Sequence, residues 1–327
     1  MCTGAELQAQ LFFRGQSGPT LSRLTHEIFY VPGLAGWPRW FLAAGKQRGS
    51  VPAGRLFVMV QSARSAPWKT AMALYDSYSA EHMLRNLAAA VRDADEYVGA
   101  VPPGDSALVV SPSAMPARYA RYLDGRASRA GRRLFAPGFN TTYYLSTNRK
   151  VSRGAGRYGW RDTDHQAPSR LPIYALRTAD GGALVLFTTT DTEGWQALSE
   201  SAALPARPSR READYVPPAF VLRRLRVHSV RTGMRLSATA VDRVLAYVPP
   251  IGSRSDRIYV LINNGAATEV HGSGLAAWTE AARQRHQHRG SAVRAVVLAD
   301  QPRILEGNAH HMLLATSRAV ASARWRA

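Results

Sequence analysis

The stretch Trp160-Arg161-Asp162-Thr163-Asp164-His165 sets two carboxylates and an imidazole within four residues. Groups of these types can hold a metal ion or pass a proton. Their spacing matches no metal-ligand pattern, and a polar loop accounts for the same residues. A second group is aromatic: Trp37, Trp40 and Trp68, with Arg39 between the first two. Large rings can line the mouth of a ligand site, and an arginine can stack on one as a cation–π pair. The same rings also suit a packed core. Candidate ligand-binding residues are therefore Trp37, Arg39, Trp40, Trp68, Asp162, Asp164 and His165.

Other motifs carry less. His271-Gly272-Ser273-Gly274 lacks the five-residue pattern of a nucleophile elbow. Gly154-Ala155-Gly156 lacks the third glycine of a dinucleotide fingerprint. His286 and His288, with His310 and His311, read as a solvated tail. The expectation is no catalytic residue set, no metal site and no cofactor.

Composition bounds the rest. A chain of 327 residues predicts two domains, and 46% hydrophobic residues supply a sizeable core. The longest apolar runs, such as Leu56–Val60 and Ala183–Phe187, fall far short of a membrane span. No charged-then-apolar export signal opens the chain. One cysteine, Cys2, excludes an internal disulfide and any cysteine-based zinc cluster. The net charge of +19 suits a nucleic acid or an anionic surface. However, only three of the 42 basic residues are lysines (Lys46, Lys69 and Lys150). Lysine is also a good phosphate partner, so its avoidance points to base composition of the gene and makes no strong case for nucleic acid.

The elements follow from periodicity. Ala5–Arg14 and Glu81–Val91 read as helices, and Leu24–Val31, Trp40–Ala44, Arg55–Ser62 and Trp68–Leu74 as strands. Val101-Pro102-Pro103-Gly104 punctuates the chain and sets a boundary with separate cores on either side. Pro116–Leu123 starts an amphipathic helix that can reach Leu134, with Arg118, Arg121, Arg126, Arg129, Arg132 and Arg133 as a basic face. Phe139–Thr147 reads as a strand and Val151–Pro168 as a glycine-rich loop. Two hairpins are signalled, one turning at Asp180-Gly181 and one at Asn263-Asn264-Gly265. Phe220–Arg231 alternates like a half-buried strand. Arg235–Val248 fits both helical and strand spacing. From Ala276 the chain is rich in arginine and histidine and poor in apolar residues, which predicts a poorly ordered tail.

Several ordered blocks carry a resemblance. Phe29-Tyr30-Val31-Pro32 through Gly36-Trp37-Pro38-Arg39-Trp40-Phe41, then Leu56–Val60 and Pro67-Trp68-Lys69, form the first set. Tyr174-Ala175-Leu176-Arg177-Thr178-Ala179-Asp180-Gly181-Gly182-Ala183-Leu184-Val185-Leu186-Phe187, Tyr247-Val248-Pro249-Pro250 and Arg257–Leu261 form the second. Together, over Thr3 to Gly274, they resemble an actinobacterial family of secreted or lipid-anchored proteins of unknown function. The resemblance implies nuclear-transport-factor-like domains, each a cone-shaped sheet with packed helices. It brings no catalytic residues. It also implies a further helix and a lipid-attachment segment upstream of Thr3, so the chain reads as truncated at its amino terminus. On that reading the first domain lacks its first helix and binds hydrophobic dyes.

These readings converge on an α+β fold: two similar domains of helices and curved antiparallel sheet, residues 1–100 and 105–275, with a tail at 276–327. The function expected is a non-catalytic cell-envelope or secreted protein that binds an unknown ligand or protein partner. Membrane attachment requires an upstream lipid-anchored segment, and the chain as written would stay in the cytoplasm. One alternative is an enzyme with a cone-pocket active site, isomerase- or dehydratase-like. Another is nucleic-acid binding through the basic helix face.

Overall fold

An unbroken apolar run needs partners on both of its faces. Leu56-Phe57-Val58-Met59 has them. In the computed structural model, which describes residues 24–47, 54–76, 97–202, 215–227 and 229–273, all four side chains are buried. They lie in β3 (Gly54–Gln61), within an antiparallel meander formed with β1 (Leu24–Tyr30), β2 (Arg39–Gln47) and β4 (Lys69–Asp76). The pairing Leu42↔Val58 and Val58↔Met72 puts apolar side chains opposite one another across three strands. The four strands expected here are all present.

The second sheet is built on β7 (Ala183–Ala197), a strand of 15 residues. Along one edge it carries two partners in series: β6 (Tyr174–Arg177) pairs with Ala183–Leu186, and β5 (Trp160–Pro168) pairs with Thr189–Ala197. Its other edge pairs with β8 (Arg235–Val248), which pairs in turn with β9 (Tyr259–Ser273). All neighbours are antiparallel. The fold is therefore α+β, with one sheet of four strands and one of five among the described residues.

Helices cover one face of the second sheet. α1 (Met115–Leu123) buries Met115, Tyr119, Tyr122 and Leu123, the i, i+4, i+7, i+8 stripe of an amphipathic helix. It stops at Gly125, whose φ of +73° suits a residue without a side chain. α2 (Arg129–Arg133) follows, with the Ser128 hydroxyl accepting from the Gly131 amide at 3.1 Å. The single long helix expected to reach Leu134 is thus two helices. α3 (Tyr144–Ala155) crosses in front of β5, and α4 (Ala219–Arg224) packs near the start of β8.

Among the described residues no strand of the first sheet pairs with a strand of the second. Their cores nevertheless merge. Leu42, Leu56, Val58 and Leu74 share one apolar cluster with Leu176, Leu184, Leu186 and Leu245. The expectation of separate cores is overturned, because each sheet turns an apolar face onto the other. A second cluster lies between the second sheet and α1, around Tyr119, Phe135, Phe187 and Val244. A third fills the far end of that same face, around Trp160, Trp195, Leu236 and the α4 residue Val221.

Four local expectations fail for physical reasons. Phe139–Thr147 is helical, not a strand: it begins with a wide turn over Phe139–Tyr143, where Phe139 and Tyr143 stack at 5.0 Å, and continues into α3. Val151–Pro168 is not a loop but the end of α3 followed by β5. Phe220–Arg231 holds α4 instead of a strand, because the Pro218 carbonyl accepts from the Val221 amide at 2.9 Å and starts a helix. Leu225 and Val227 still turn into the core. The Asn263-Asn264-Gly265 turn does not exist: β9 runs straight through it, paired with β8 on both sides. The proposed helices at Ala5–Arg14 and Glu81–Val91 and the tail from Ala276 lie outside the described residues.

Candidate functional site

Side chains alternate along a strand, so registers decide which residues share a face. Asp164 lies opposite Glu193, Thr189 opposite Asp242, and Val244 opposite Asn263. Asp162, Asp164 and Gln166 of β5, Thr189, Asp191 and Glu193 of β7, Asp242 of β8 and Asn263 of β9 therefore point the same way, toward the helices. Phe187 and Val244 bound this group at one end, and Trp160, Trp195 and Leu236 at the other. The result is a polar belt with five carboxylates between two apolar clusters.

α3 closes the belt with one row of side chains. Tyr144, Asn148 and Ser152 recur every four residues and so lie on one face of the helix. The Tyr144 hydroxyl donates to Asp191 Oδ2 at 3.3 Å, and the Ser152 hydroxyl to Asp162 Oδ2 at 2.6 Å. The Asn148 amide donates to Asp164 Oδ2. The Gln166 amide donates to the Tyr144 hydroxyl at 3.3 Å. From α1, Tyr119 donates to the Asn140 carbonyl at 2.7 Å and accepts from the Asn263 amide at 3.3 Å.

Gly265 explains the false hairpin. It lies opposite Asp242, and a Cβ on it would come within 2.4 Å of Asp242 Oδ1. The glycine makes room for a carboxylate inside the sheet face.

The donors do not meet the demand for them. Asp162 Oδ1, Asp164 Oδ1, Asp191 Oδ1, Gln166 Oε1, Thr189 Oγ1 and Asn263 Oδ1 are buried and make no hydrogen bond among the described residues. Gln166 itself is 3% exposed. Most buried polar atoms in folded proteins are satisfied, so six on one face are unusual.

Burial sets the electrostatics. Removal from water pushes Glu193 up to about 8, aided by the charges of Asp162 and Asp164. The same cause lifts Asp242 to about 7, against the pull of Arg243, which lies on the opposite face of β8. Asp191 is held well above the usual carboxylate range by burial and then by Asp242 and Asp164. Asp162 and Asp164 are raised as well, chiefly by burial. The charge of Asp164 beside Asp191 further favours the protonated form of Asp191. Near neutral pH the belt therefore carries protons that solvent-exposed carboxylates would have lost. It can accept a cation or a donor-rich group, and it can exchange protons.

The residues expected from sequence divide between places. Asp162 and Asp164 are in the belt. His165, next along β5, faces outward, with Nδ1 at 3.1 Å from Asp124 and 3.3 Å from an Arg126 nitrogen. Trp37 and Arg39 are exposed on the first sheet, with the Arg39 guanidinium 5.0 Å from the Trp37 ring centroid. Trp40 packs edge-on against Tyr174 at 5.1 Å, within the core shared by the two sheets. Trp68 packs on Phe41 at 4.8 Å, on the other face of the first sheet. The structure does not gather the three tryptophans around one mouth. Sequence reading missed Asp191, Glu193, Asp242, Gln166, Asn263 and Tyr144. The signal was the every-second-residue spacing of Thr189, Asp191 and Glu193 in a strand whose first five residues are all apolar. Among the described residues, no three of His, Cys, Asp and Glu converge in the way a metal ion requires.

The family described as a domain of unknown function, DUF8094, matches residues 8–271. An uncharacterized lipoprotein of Streptomyces coelicolor is 30% identical over 182 residues, covering 56% of this chain and 52% of the relative. An uncharacterized lipoprotein of Streptomyces avermitilis is 30% identical over 191 residues, covering 57% of this chain and 53% of the relative. A second one of Streptomyces coelicolor is 30% identical over 169 residues, covering 50% and 45%. The chain thus spans about half the length of the curated relatives it matches. No solved structure matches it.

Proposed function

The chain belongs to the DUF8094 family, and on that premise we propose that it is a cell-envelope binding protein whose carboxylate belt seats a cationic, hydrogen-bond-donating group such as an ammonium or a guanidinium. The relatives that carry the name lipoprotein support the envelope setting. The order of elements from α1 to β9, helices and then long antiparallel strands, supports a nuclear-transport-factor-like cone with the belt on its inner face. The observation that carries the ligand class is the set of six buried acceptor and hydroxyl atoms with no partner among the described residues. A cation with several N–H groups supplies both the charge and the donors that such atoms need. Within this reading Asp162, Asp164, Asp191 and Glu193 contact the ligand, and Asp242 and Tyr144 hold them in place.

Thermal shift with matched pairs tests it: ethylammonium against ethanol, arginine against citrulline, glucosamine against N-acetylglucosamine. The cationic member of at least one pair should raise Tm while its neutral partner does not. The shift should grow from pH 6 to pH 8.5 as the belt loses protons, and D191N should abolish it. Equal responses within every pair would overturn the proposal.

One observation favours a second reading, acid–base catalysis. Asp191 is held well above the usual carboxylate range by burial and by the charge of Asp242, which is itself raised to about 7. A carboxyl poised near the working pH is what proton transfer needs. Exchange of a carbon-bound hydrogen of a candidate ligand with deuterated solvent, lost in D242N, would favour catalysis over binding alone.

A further inference from the structure

The outer side of α3 is chemically opposite to its inner side. Arg149, Lys150, Arg153 and Arg157 line a groove of about 520 Å³, together with Ser146, Gly154, Tyr158 and Tyr215. Four of its eight lining residues are cations, and none is a carboxylate. Among the described residues, none of these four cations forms a salt bridge. Like charges on neighbouring helix turns repel, so such a row costs stability unless something of opposite charge compensates it.

The groove also has a built wall. Tyr158 and Tyr215 stack with centroids 5.7 Å apart and planes 11° from parallel. Tyr215 lies directly against the helix at Gly154, where a Cβ would come within 2.3 Å of its ring. Only a glycine lets that ring reach the helix surface. The wall limits the groove to a small ligand, and 520 Å³ is in the range of small-molecule sites. Arg149 and Arg153 are one helical turn apart, a rise of about 6 Å. Two linked phosphate groups can engage two guanidiniums at that interval, and a guanidinium fork fits phosphate oxygens well.

We propose that this groove binds a small soluble anion carrying two or more linked phosphate groups, an oligophosphate or a di- or triphosphate ester. It is a separate site from the belt, which lies on the other side of the helix and takes the opposite charge.

Because the chain carries a net charge of +19, the test must separate a site from general attraction. Titration calorimetry with sodium tripolyphosphate at about physiological salt provides the measurement. The variant R149Q/R153Q should weaken binding at least tenfold. The variant R118Q/R121Q removes the same charge from the exposed side of α1 and should change affinity less than twofold. G154A leaves charge intact but displaces Tyr215, and should also weaken binding several-fold. D191N should not weaken it, so this proposal and the reading of the belt fail separately. Equal losses in the two double variants would overturn the site. So would binding to vesicles of acidic phospholipid, or to a single-stranded oligonucleotide, with no response to tripolyphosphate.

Discussion

The two sheets bury faces of similar construction with opposite chemistry. On the first sheet, Leu42, Leu56, Val58, Met72 and Leu74 face the second sheet as an unbroken apolar surface. On the helix side of the second sheet, Phe187 and Val244 give way within one residue pair to Thr189 and Asp242. Burying carbon contributes about 25 cal/mol per Å², whereas burying a carboxylate costs free energy until it is protonated or paired. The first sheet is explained by folding alone. The second carries a belt that folding does not require, and that contrast makes the belt the candidate site.

The apolar face can be broken most severely. Leu245 is fully buried between the sheets, and Leu245→Ala should cost about 2–5 kcal/mol at every pH, read from urea unfolding. A pH-dependent cost would mean that the shared core and the belt are coupled.

The belt should respond to pH instead. The pKa of Glu193 in the folded state, about 8, lies above the unfolded value of about 4.3. Between those values the folded state holds a proton that the unfolded state has released. Stability therefore falls as pH rises through that window, by up to about 1.4 kcal/mol per unit for this group. Asp242 adds to the same slope below about 7. Glu193→Gln should flatten the decline and raise stability at pH 8, while costing ligand binding. An unchanged slope would place Glu193 in contact with bulk water.

A smaller effect tests the room made for Asp242. Gly265→Ala puts a methyl group where that carboxylate lies and should cost about 1–3 kcal/mol. In the Asp242→Ala background the penalty should largely vanish. A double-mutant cycle with no coupling would mean that the glycine serves the backbone only.

The smallest effect is expected at the exposed start of β2. Trp37→Ala removes the ring beneath Arg39 and should cost no more than about 1 kcal/mol. A larger loss would show that Trp37 belongs to the packing of that sheet.

The sequence made the first sheet legible because its strands are apolar runs with few competing readings. The Asp180-Gly181 hairpin was legible too: its turn is closed by the Thr178 amide donating to the Gly182 carbonyl at 3.0 Å. Of the belt, only Asp162 and Asp164 stood out, since adjacency in sequence was the cue. Asp191, Asp242 and Asn263 come from three strands, and only the register joins them. Asn263-Asn264-Gly265 misled because an asparagine–glycine pair ordinarily marks a turn, whereas here the glycine yields space to a side chain on the neighbouring strand. Tyr144, Asn148 and Ser152 were hidden for a related reason: Thr141, Thr142, Tyr143 and Tyr144 have the composition of a strand, and packing against the second sheet overrides that preference.

α3 holds carboxylates on one side and guanidiniums on the other, separated by a helix diameter of roughly 10 Å. That is close to the screening length of physiological salt, about 8 Å, and the path between them runs through protein instead of water. The two titrations are therefore thermodynamically linked. An anion held outside cancels positive potential felt inside, so its arrival should draw protons onto the belt. Reciprocity then requires acidification to tighten the grip on that anion by the same factor. Heats of tripolyphosphate binding measured in buffers of different ionisation enthalpy would count those protons directly.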